Sequence, residues 1–307
     1  MRLEDFLVKL GKIRCAPTAY GPAPHKPVFL ITLLDRMDRA DLAINQFEIS
    51  PEWVALFKGN WSLLVDSQNQ SEFGLPFFHL QTDGFWKVIR WDGTQLKSVI
   101  KSMFVLAEEV HHCALTPEVY ALCADPENRR RIRTFLLERY FPRTQSVYNK
   151  ERYIPVLEDE ELAVLNETQL SYTAQEDEDM GFIRSGAFQR VVLRVYNHTC
   201  SISGLRVVAT SGISMVDACH ITPFHQTGDN SISNGFTLCP NLHRAFDRGL
   251  IAVDAEYRVV VSRSFVEDQS SYGIRRFEGQ PIQLPLRKEY FPSVEKFAWH
   301  REKVFRG

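Results

Sequence analysis

No apolar run in this 307-residue chain approaches the ~18 residues that a membrane-spanning helix needs, which argues against an integral membrane protein. The opening MRLEDFLVKLGKIRC is charged and amphipathic, so no secretory leader is expected there. Cysteine is sparse: Cys15, Cys113, Cys123, Cys200, Cys219 and Cys239, with no Cys-x-x-Cys pair among them. That scatter excludes a disulfide scaffold and suits free thiols in a reducing cytoplasm. There is no internal repeat and no low-complexity segment beyond one acidic run. A composition of 44% hydrophobic and 24% charged residues is ordinary for a globular protein, which excludes collagen, coiled coil and wholesale disorder. Net charge is almost absent as well: 36 Lys+Arg oppose 38 Asp+Glu, for −2. Taken whole, that figure speaks against a nucleic-acid partner.

The charge is unevenly placed. Residues 1–152 carry 20 Lys/Arg and 18 Asp/Glu, residues 153–183 carry none and 9, and residues 184–307 carry 16 and 11. The acidic excess therefore sits in YIPVLEDEELAVLNETQLSYTAQEDEDMGFI, and a block of like charge reads as a solvated connector. Its apolar residues leave room for a short helix. The length suits two domains of roughly 100–200 residues each. The expected organisation is an N-terminal domain over 1–150, an acidic linker over 151–183 and a C-terminal domain over 184–307, α+β in class.

In the N-terminal region, Leu3, Phe6, Leu7 and Leu10 recur at helical spacing before Gly11. The proline-rich CAPTAYGPAPHKP is expected to hold no regular structure. VFLITLLDRM (28–37) reads as a buried helix with Pro27 at its start. Residues 47–66 place Trp53, Leu56, Phe57, Trp61 and Leu64 on one helical face. Residues 73–93 are short aromatic segments broken by Asp83-Gly84 and Asp92-Gly93, which reads as a hairpin. Residues 94–113 and 127–140 read as helices. The first would carry His111-His112-Cys113 on its surface, and the second Arg129, Arg130, Arg131 and Arg133 on a solvated face. The domain is thus mainly helical with a small β element. A helix N-terminus presents unpaired N–H groups that favour an anion, and His25 and Lys26 just before one make a plausible phosphate site.

Three motifs occur in order here: Pro24-His25-Lys26-Pro27 before an apolar helix, Pro76-Phe77-x-x-Leu80-x-x-Asp83-Gly84-x-Trp86, and Tyr140-Phe141-Pro142 closing a helix. Together they resemble the sulfur-binding domain of restriction enzymes that recognise phosphorothioate-modified DNA. The resemblance implies a shallow apolar cup for the sulfur, with Pro76 as its wall and Leu75, Phe77 and His79 beside it. His25 and Lys26 would hold the backbone, and Arg14 would make a general phosphate contact. Leu75 stands where many relatives place an aromatic residue. Sulfur is larger, more polarisable and less hydrated than oxygen, so an apolar cup can favour it over a phosphate oxygen whose desolvation is costly.

The C-terminal region holds the densest chemistry. Residues 187–196 have helical periodicity, Cys200 to Gly204 form a turn, and strand-like residues run to Asp217-Ala218-Cys219-His220-Ile221-Thr222-Pro223. The polar loop GDNSISNG follows, then Phe236-Thr237-Leu238-Cys239-Pro240-Asn241-Leu242-His243, then two strands around Asp254-Ala255-Glu256. Strand, loop, strand and helix bring His220 and His243 toward one point, where one histidine can act as base and the other can hold a metal. The set resembles the HNH endonuclease domain, a ββα-metal fold, in the form found in modification-dependent, McrA-like restriction enzymes.

That resemblance implies roles. His220 matches the general base, Asn234 the residue that braces the loop, and His243 a metal ligand. The cofactor would be one divalent ion, Mg or Mn in the first place, with Co, Ni or Zn as alternatives; products would be 5′-phosphate and 3′-hydroxyl ends. Cys219 occupies the position where many such enzymes carry an Asp or His ligand, and a thiolate is a poor ligand for Mg²⁺. Asp217 is the nearest carboxylate and the expected second ligand, although residues 217 and 220 fall on opposite faces of an extended strand. Asp247 and Asp229 are weaker candidates, and His225 could touch phosphate. Ser203 replaces the second cysteine of a Cys200-x-x-Cys pair, so no structural zinc is expected.

The expected protein is a type IV-like restriction endonuclease of the prokaryotic cytoplasm. Its partner would be phosphorothioate-modified double-stranded DNA, and it would act as a homodimer with no membrane role. Two other readings stay open at this point: an HNH nuclease whose first domain reads another mark, such as a methylated base, and a non-catalytic DNA-binding sensor.

Overall fold

A computed structural model of the chain describes residues 1–39, 44–151, 153–167, 177–210, 213–268 and 272–307. The chain divides into two compact units: Met1–Leu157 with Glu176–Ile183, and Glu158–Gln175 with Arg184–Gly307. No helix among the described residues is long and apolar enough to cross a membrane.

The first unit runs α1 (Leu3–Leu10), β1 (Pro17–Thr18), β2 (Gly21–Pro22), α2 (His25–Arg39), α3 (Pro51–Leu64), α4 (Gly74–His79), β3 (Trp86–Arg90), α5 (Met103–Glu109), β4 (Val110–Leu115), α6 (Pro117–Ala124), α7 (Pro126–Tyr140) and α8 (Gln145–Glu151). Helix α2 is its axis, because VFLITLL is buried along its whole length. Helix α3 starts where Ser50 accepts from the Trp53 N–H, with Pro51 at its first turn. Phe29, Trp53, Phe73, Phe77 and Trp86 pack edge-on or tilted around α2. A charge buried in that core needs partners. Asp35 has them: it accepts from Tyr148 Oη (2.7 Å), Asn60 Nδ2 (2.8 Å) and Arg133 Nε (3.0 Å).

The structure corrects four expectations in this unit. The proline-rich loop contains the short β1–β2 hairpin, paired Pro17 to Pro22 and Thr18 to Gly21. Residues 74–79 are helix rather than strand, and β3 pairs with β4, not with a partner inside 73–93. The Asp92-Gly93 turn is present, with Leu96 N–H reaching back to the Val88 carbonyl. His111-His112-Cys113 therefore lies on β4, where Cys113 is buried and exchanges backbone bonds with Phe47. Arg129 and Arg133 are buried rather than solvated: Arg129 meets Asp38 (2.6 Å), and Arg133 meets Asp35 and Asp38.

Within the acidic stretch, residues 168–176 lie outside the described residues. Much of the remainder is helix, in α9 (Val156–Leu165) and the start of α10 (Glu178–Val195). Several of its described carboxylates are ion-paired within their own unit. Asp177 and Asp179 meet Lys58 in the first, while in the second Glu160 meets Arg184 (3.3 Å) and Glu161 meets Arg190 (2.6 Å) and Arg194 (3.1 Å).

The second unit sets strand β5 (Asp217–His220) antiparallel to β6 (Gly235–Leu238), with Asp217 opposite Leu238 and His220 opposite Gly235. The short α11 (Phe224–Thr227) lies between them in sequence, and α12 (Pro240–Asp247) follows β6. Next come the hairpin β7 (Ile251–Val253) and β8 (Val259–Val261), and finally α13 (Val294–Lys303). Phe236, Phe246 and Phe297 form the aromatic core between β6, α12 and α13. Two glycines allow close approaches in this unit, one against α10 and one against the end of α13. A Cβ on Gly235 would stand 2.6 Å from Val192, and one on Gly249 (φ +71°) would stand 2.1 Å from the Val304 carbonyl oxygen.

Candidate functional site

In the first unit a cavity of about 440 Å³ is lined by Arg14, His25, Lys26, Leu75, Pro76 and His79, together with Cys15, Thr18 and Thr82. The start of α2 supplies His25 and Lys26, and the α4 turn supplies Leu75, Pro76 and His79. Phe77, expected beside the cup, is fully buried and points into the aromatic core, so it supports α4 from beneath. His25 tilts against Trp61 (4.7 Å) and its Nε2 lies 2.9 Å from the Gln70 carbonyl oxygen. Burial pulls its pKa below the ordinary histidine value despite that bond. Lys26 is paired with Asp83 at 2.7 Å, both side chains about one-tenth exposed. The cavity is therefore chiefly apolar, its one deep cation already balanced and Arg14 exposed at the rim. Cys15, which sequence reasoning passed over, adds a polarisable thiol whose pKa burial pushes up.

In the second unit His220, at the end of β5, lies flat on Phe188 (centroids 3.9 Å, interplanar 6°). The missing side chain at Gly235 is what lets Phe188 come this close. His220 Nε2 is 2.8 Å from Asn230 Oδ1. Burial lowers the pKa of the ring, against the Asn230 bond. Asn230 was not found from the sequence; in GDNSISNG nothing separates it from the neighbouring polar residues.

Asn234 is fully buried, and its side chain bonds to the flanks of the loop, Thr222 and Asp229. Its Oδ1 accepts from the Thr222 N–H (2.9 Å) and Oγ1 (2.8 Å), and its Nδ2 donates to the carbonyls of Thr222 (3.0 Å) and Asp229 (2.9 Å). It ties the two ends of the loop that carries Asn230, with every hydrogen-bonding position used. Helix α13 holds the same loop from outside. Lys296 Nζ meets Asp229 (2.7 Å), Ser231 Oγ (2.8 Å) and Ser233 Oγ (3.0 Å). Burial works against ionised Asp229, but its bonds from Lys296 and Ser231 hold it below the usual carboxylate range.

His243, on α12, has Nδ1 3.1 Å from Asp217 Oδ2 and Nε2 3.6 Å from Asp247 Oδ2. Cys219, His243 and Asp247 offer a sulfur, a nitrogen and an oxygen all within 4.8 Å of one another. A donor set of that kind fits a divalent ion. Burial, then Asp247 and Asp217, raise the Cys219 thiol well above its ordinary pKa. His225 is exposed on α11. Away from this cluster, Ser203 N–H lies 3.4 Å from Cys200 Sγ and Ser203 Oγ 4.0 Å from Cys239 Sγ.

Residues 3–147 match the family model of the ScoMcrA-like DNA sulfur-binding domain, and residues 200–254 match that of the HNH endonuclease. No curated protein matches the chain. Among solved structures, the modification-dependent TagI restriction endonuclease is similar at 22% identity over 40% of this chain and 39% of its own, with a TM-score of 0.30. The chain thus spans well under half the length of that relative. The sulfur-binding domain of ScoMcrA complexed with phosphorothioated DNA is similar at 23% identity, over 45% of this chain and 87% of that one (TM-score 0.33). The type IV phosphorothioation-dependent restriction endonuclease ScoMcrA is similar at 12% identity, over 78% of this chain and 94% of that one (TM-score 0.33).

Proposed function

We propose that this chain, which joins a ScoMcrA-like DNA sulfur-binding domain to an HNH endonuclease domain, restricts DNA carrying phosphorothioate linkages. The observation that carries the reading is the convergence of Arg14, His25, Lys26, Leu75, Pro76 and His79 on one apolar cavity. Because Asp83 already balances Lys26, charge contributes little to choosing between ligands there. A phosphate oxygen would incur a larger desolvation cost in the cup than the more weakly hydrated sulfur. Arg14 at the rim and neutral His25 then hold the backbone without distinguishing the two.

In the nuclease domain, Asn230 Oδ1 accepts from Nε2–H of His220 and so leaves Nδ1 with a free lone pair. Burial keeps the ring neutral near pH 7, the state a general base needs. His220 takes the proton of the attacking water, Phe188 fixes the plane of its ring, and Asn234 with Lys296 fixes the loop that holds Asn230. HNH nucleases depend on a divalent metal. His243 would hold it, with Asp217 on the other ring nitrogen; when bound, the ion supplies charge for the scissile phosphate and the leaving oxygen. A duplex break needs two such centres, so the acting form proposed is a homodimer, and a monomeric mass on cleaved DNA would count against it.

The test compares one duplex with and without a single stereodefined phosphorothioate. Cleavage should require the sulfur and should vanish in His220→Ala while binding remains. Pro76→Asp should abolish preferential binding of the modified duplex. Equal binding of both duplexes by the unaltered chain would contradict the reading.

A further inference from the structure

We propose that Cys219 is a direct ligand of the nuclease ion and that its sulfur gives the centre a preference for a borderline-soft divalent ion of the zinc, cobalt or nickel class over magnesium. The inference rests on the HNH reading and adds to it a ligand and an ion class.

Alternation along β5 puts Asp217 and Cys219 on one face and His220 on the other. The face shared by Asp217 and Cys219 meets α12, where Asp217 reaches Nδ1 of His243 while Nε2 looks toward Asp247. A metal-bound histidine ordinarily gives its other ring nitrogen to a carboxylate, which fixes the ring. Asp217 fits that positioning role, not the ligand role expected for it. The remaining donors, the Cys219 sulfur, a His243 ring nitrogen and the Asp247 carboxylate, lie within 4.8 Å of one another, with Nε2 on the Asp247 side. Ligand bonds of about 2.0–2.3 Å bring donor atoms roughly 3–4 Å apart, so a set already within 4.8 Å closes by a small movement. Three protein ligands leave a position for water or a phosphate oxygen, as a catalytic centre requires.

A buried core thiol is the plainer account of Cys219, which is fully buried and lies 3.5 Å from the His220 carbonyl oxygen. It does not explain why a histidine and a carboxylate meet at the same sulfur. Magnesium demands oxygen ligands, and thiolate selects softer ions. On binding, the sulfur–metal bond forms as the thiol proton passes to solvent.

The test is a cobalt(II) titration of the full chain, read as the near-ultraviolet thiolate-to-cobalt charge-transfer band. One band saturating at one equivalent is expected, displaced by zinc but not by a hundredfold excess of magnesium. It should be lost in Cys219→Ser and in Cys219→Asp, each checked for fold by circular dichroism, and kept when Cys200 and Cys239 are both changed to Ser. In Cys219→Asp, magnesium should compete for the site at least tenfold better, read from the visible d–d absorption of bound cobalt. A band that survives in both Cys219 variants, disappears with Cys200 and Cys239, or yields to magnesium in the unaltered chain would overturn the proposal. A failure of the nuclease reading shows separately, as no DNA cleavage with any metal while the band stands.

Discussion

As the proposed general base, His220 is useful only in one orientation and one tautomer, and two side chains in direct contact with it impose both. Asn230 sets the tautomer and Phe188 the plane. Asn230→Ala should lower kcat at least tenfold with DNA affinity unchanged, measured by single-turnover cleavage beside equilibrium binding; equal loss of both would assign Asn230 a structural role. The resemblance marked His220, Asn234 and His243 because their types and spacing are distinctive. Asn230 and Phe188 escaped notice since their roles depend on contact across elements. A second histidine reports on stability. His300 is 2% exposed, stacked on Phe246 at 3.6 Å, and its Nδ1 has no partner among the described residues. Burial drops its pKa to about 4. A depressed folded-state value means the unfolded chain binds the extra proton first, so the contribution is full above the unfolded value near 6.5 and is lost as pH falls toward 4. Acidification across that window should cost the second unit about 3 kcal/mol more in the unaltered chain than in His300→Leu, read from denaturant unfolding at several pH values. Identical pH dependence would contradict it.

At the scale of elements, the helices with clear apolar faces or caps were legible: α1, α2, α3 and α7 lie where periodicity placed them. The aromatic run at 73–93 was not, because a short apolar segment has neither a helical nor a strand period long enough to decide. The β3 partner lies beyond an intervening helix, a tertiary choice that no local pattern announces. The tail was opaque for the same reason. Only in the fold does α13 prove to be a clamp, with Phe297 in the core and Lys296 on the loop that carries Asn230. Ser293 caps α13 by accepting from the Lys296 N–H (3.2 Å). Ser293→Ala should cost about 1 kcal/mol. Lys296→Met should reduce kcat with little change in Tm, since it unties the loop and not the core; unchanged cleavage would remove the clamp from the account.

Over the whole molecule, the net charge of −2 conceals a division of labour. The acidic stretch uses several of its described carboxylates in ion pairs within each unit, and the first region keeps a small positive excess. A reader with so little net charge, and a cup whose lysine is already paired, should hold unmodified DNA weakly. Affinity for plain duplex should therefore be weak and should fall further with salt, whereas the gain from one phosphorothioate should persist, because it comes from an uncharged cup. A modified-to-plain affinity ratio that collapses between low and physiological salt would count against this.

The most direct measurement is single-turnover cleavage of two duplexes identical but for one stereodefined phosphorothioate, with the full chain at physiological salt. The account predicts cleavage of the modified duplex and none of the plain one, with the difference erased by Pro76→Asp and all cleavage erased by His220→Ala. Equal rates on the two duplexes, or cleavage that survives His220→Ala, would contradict it.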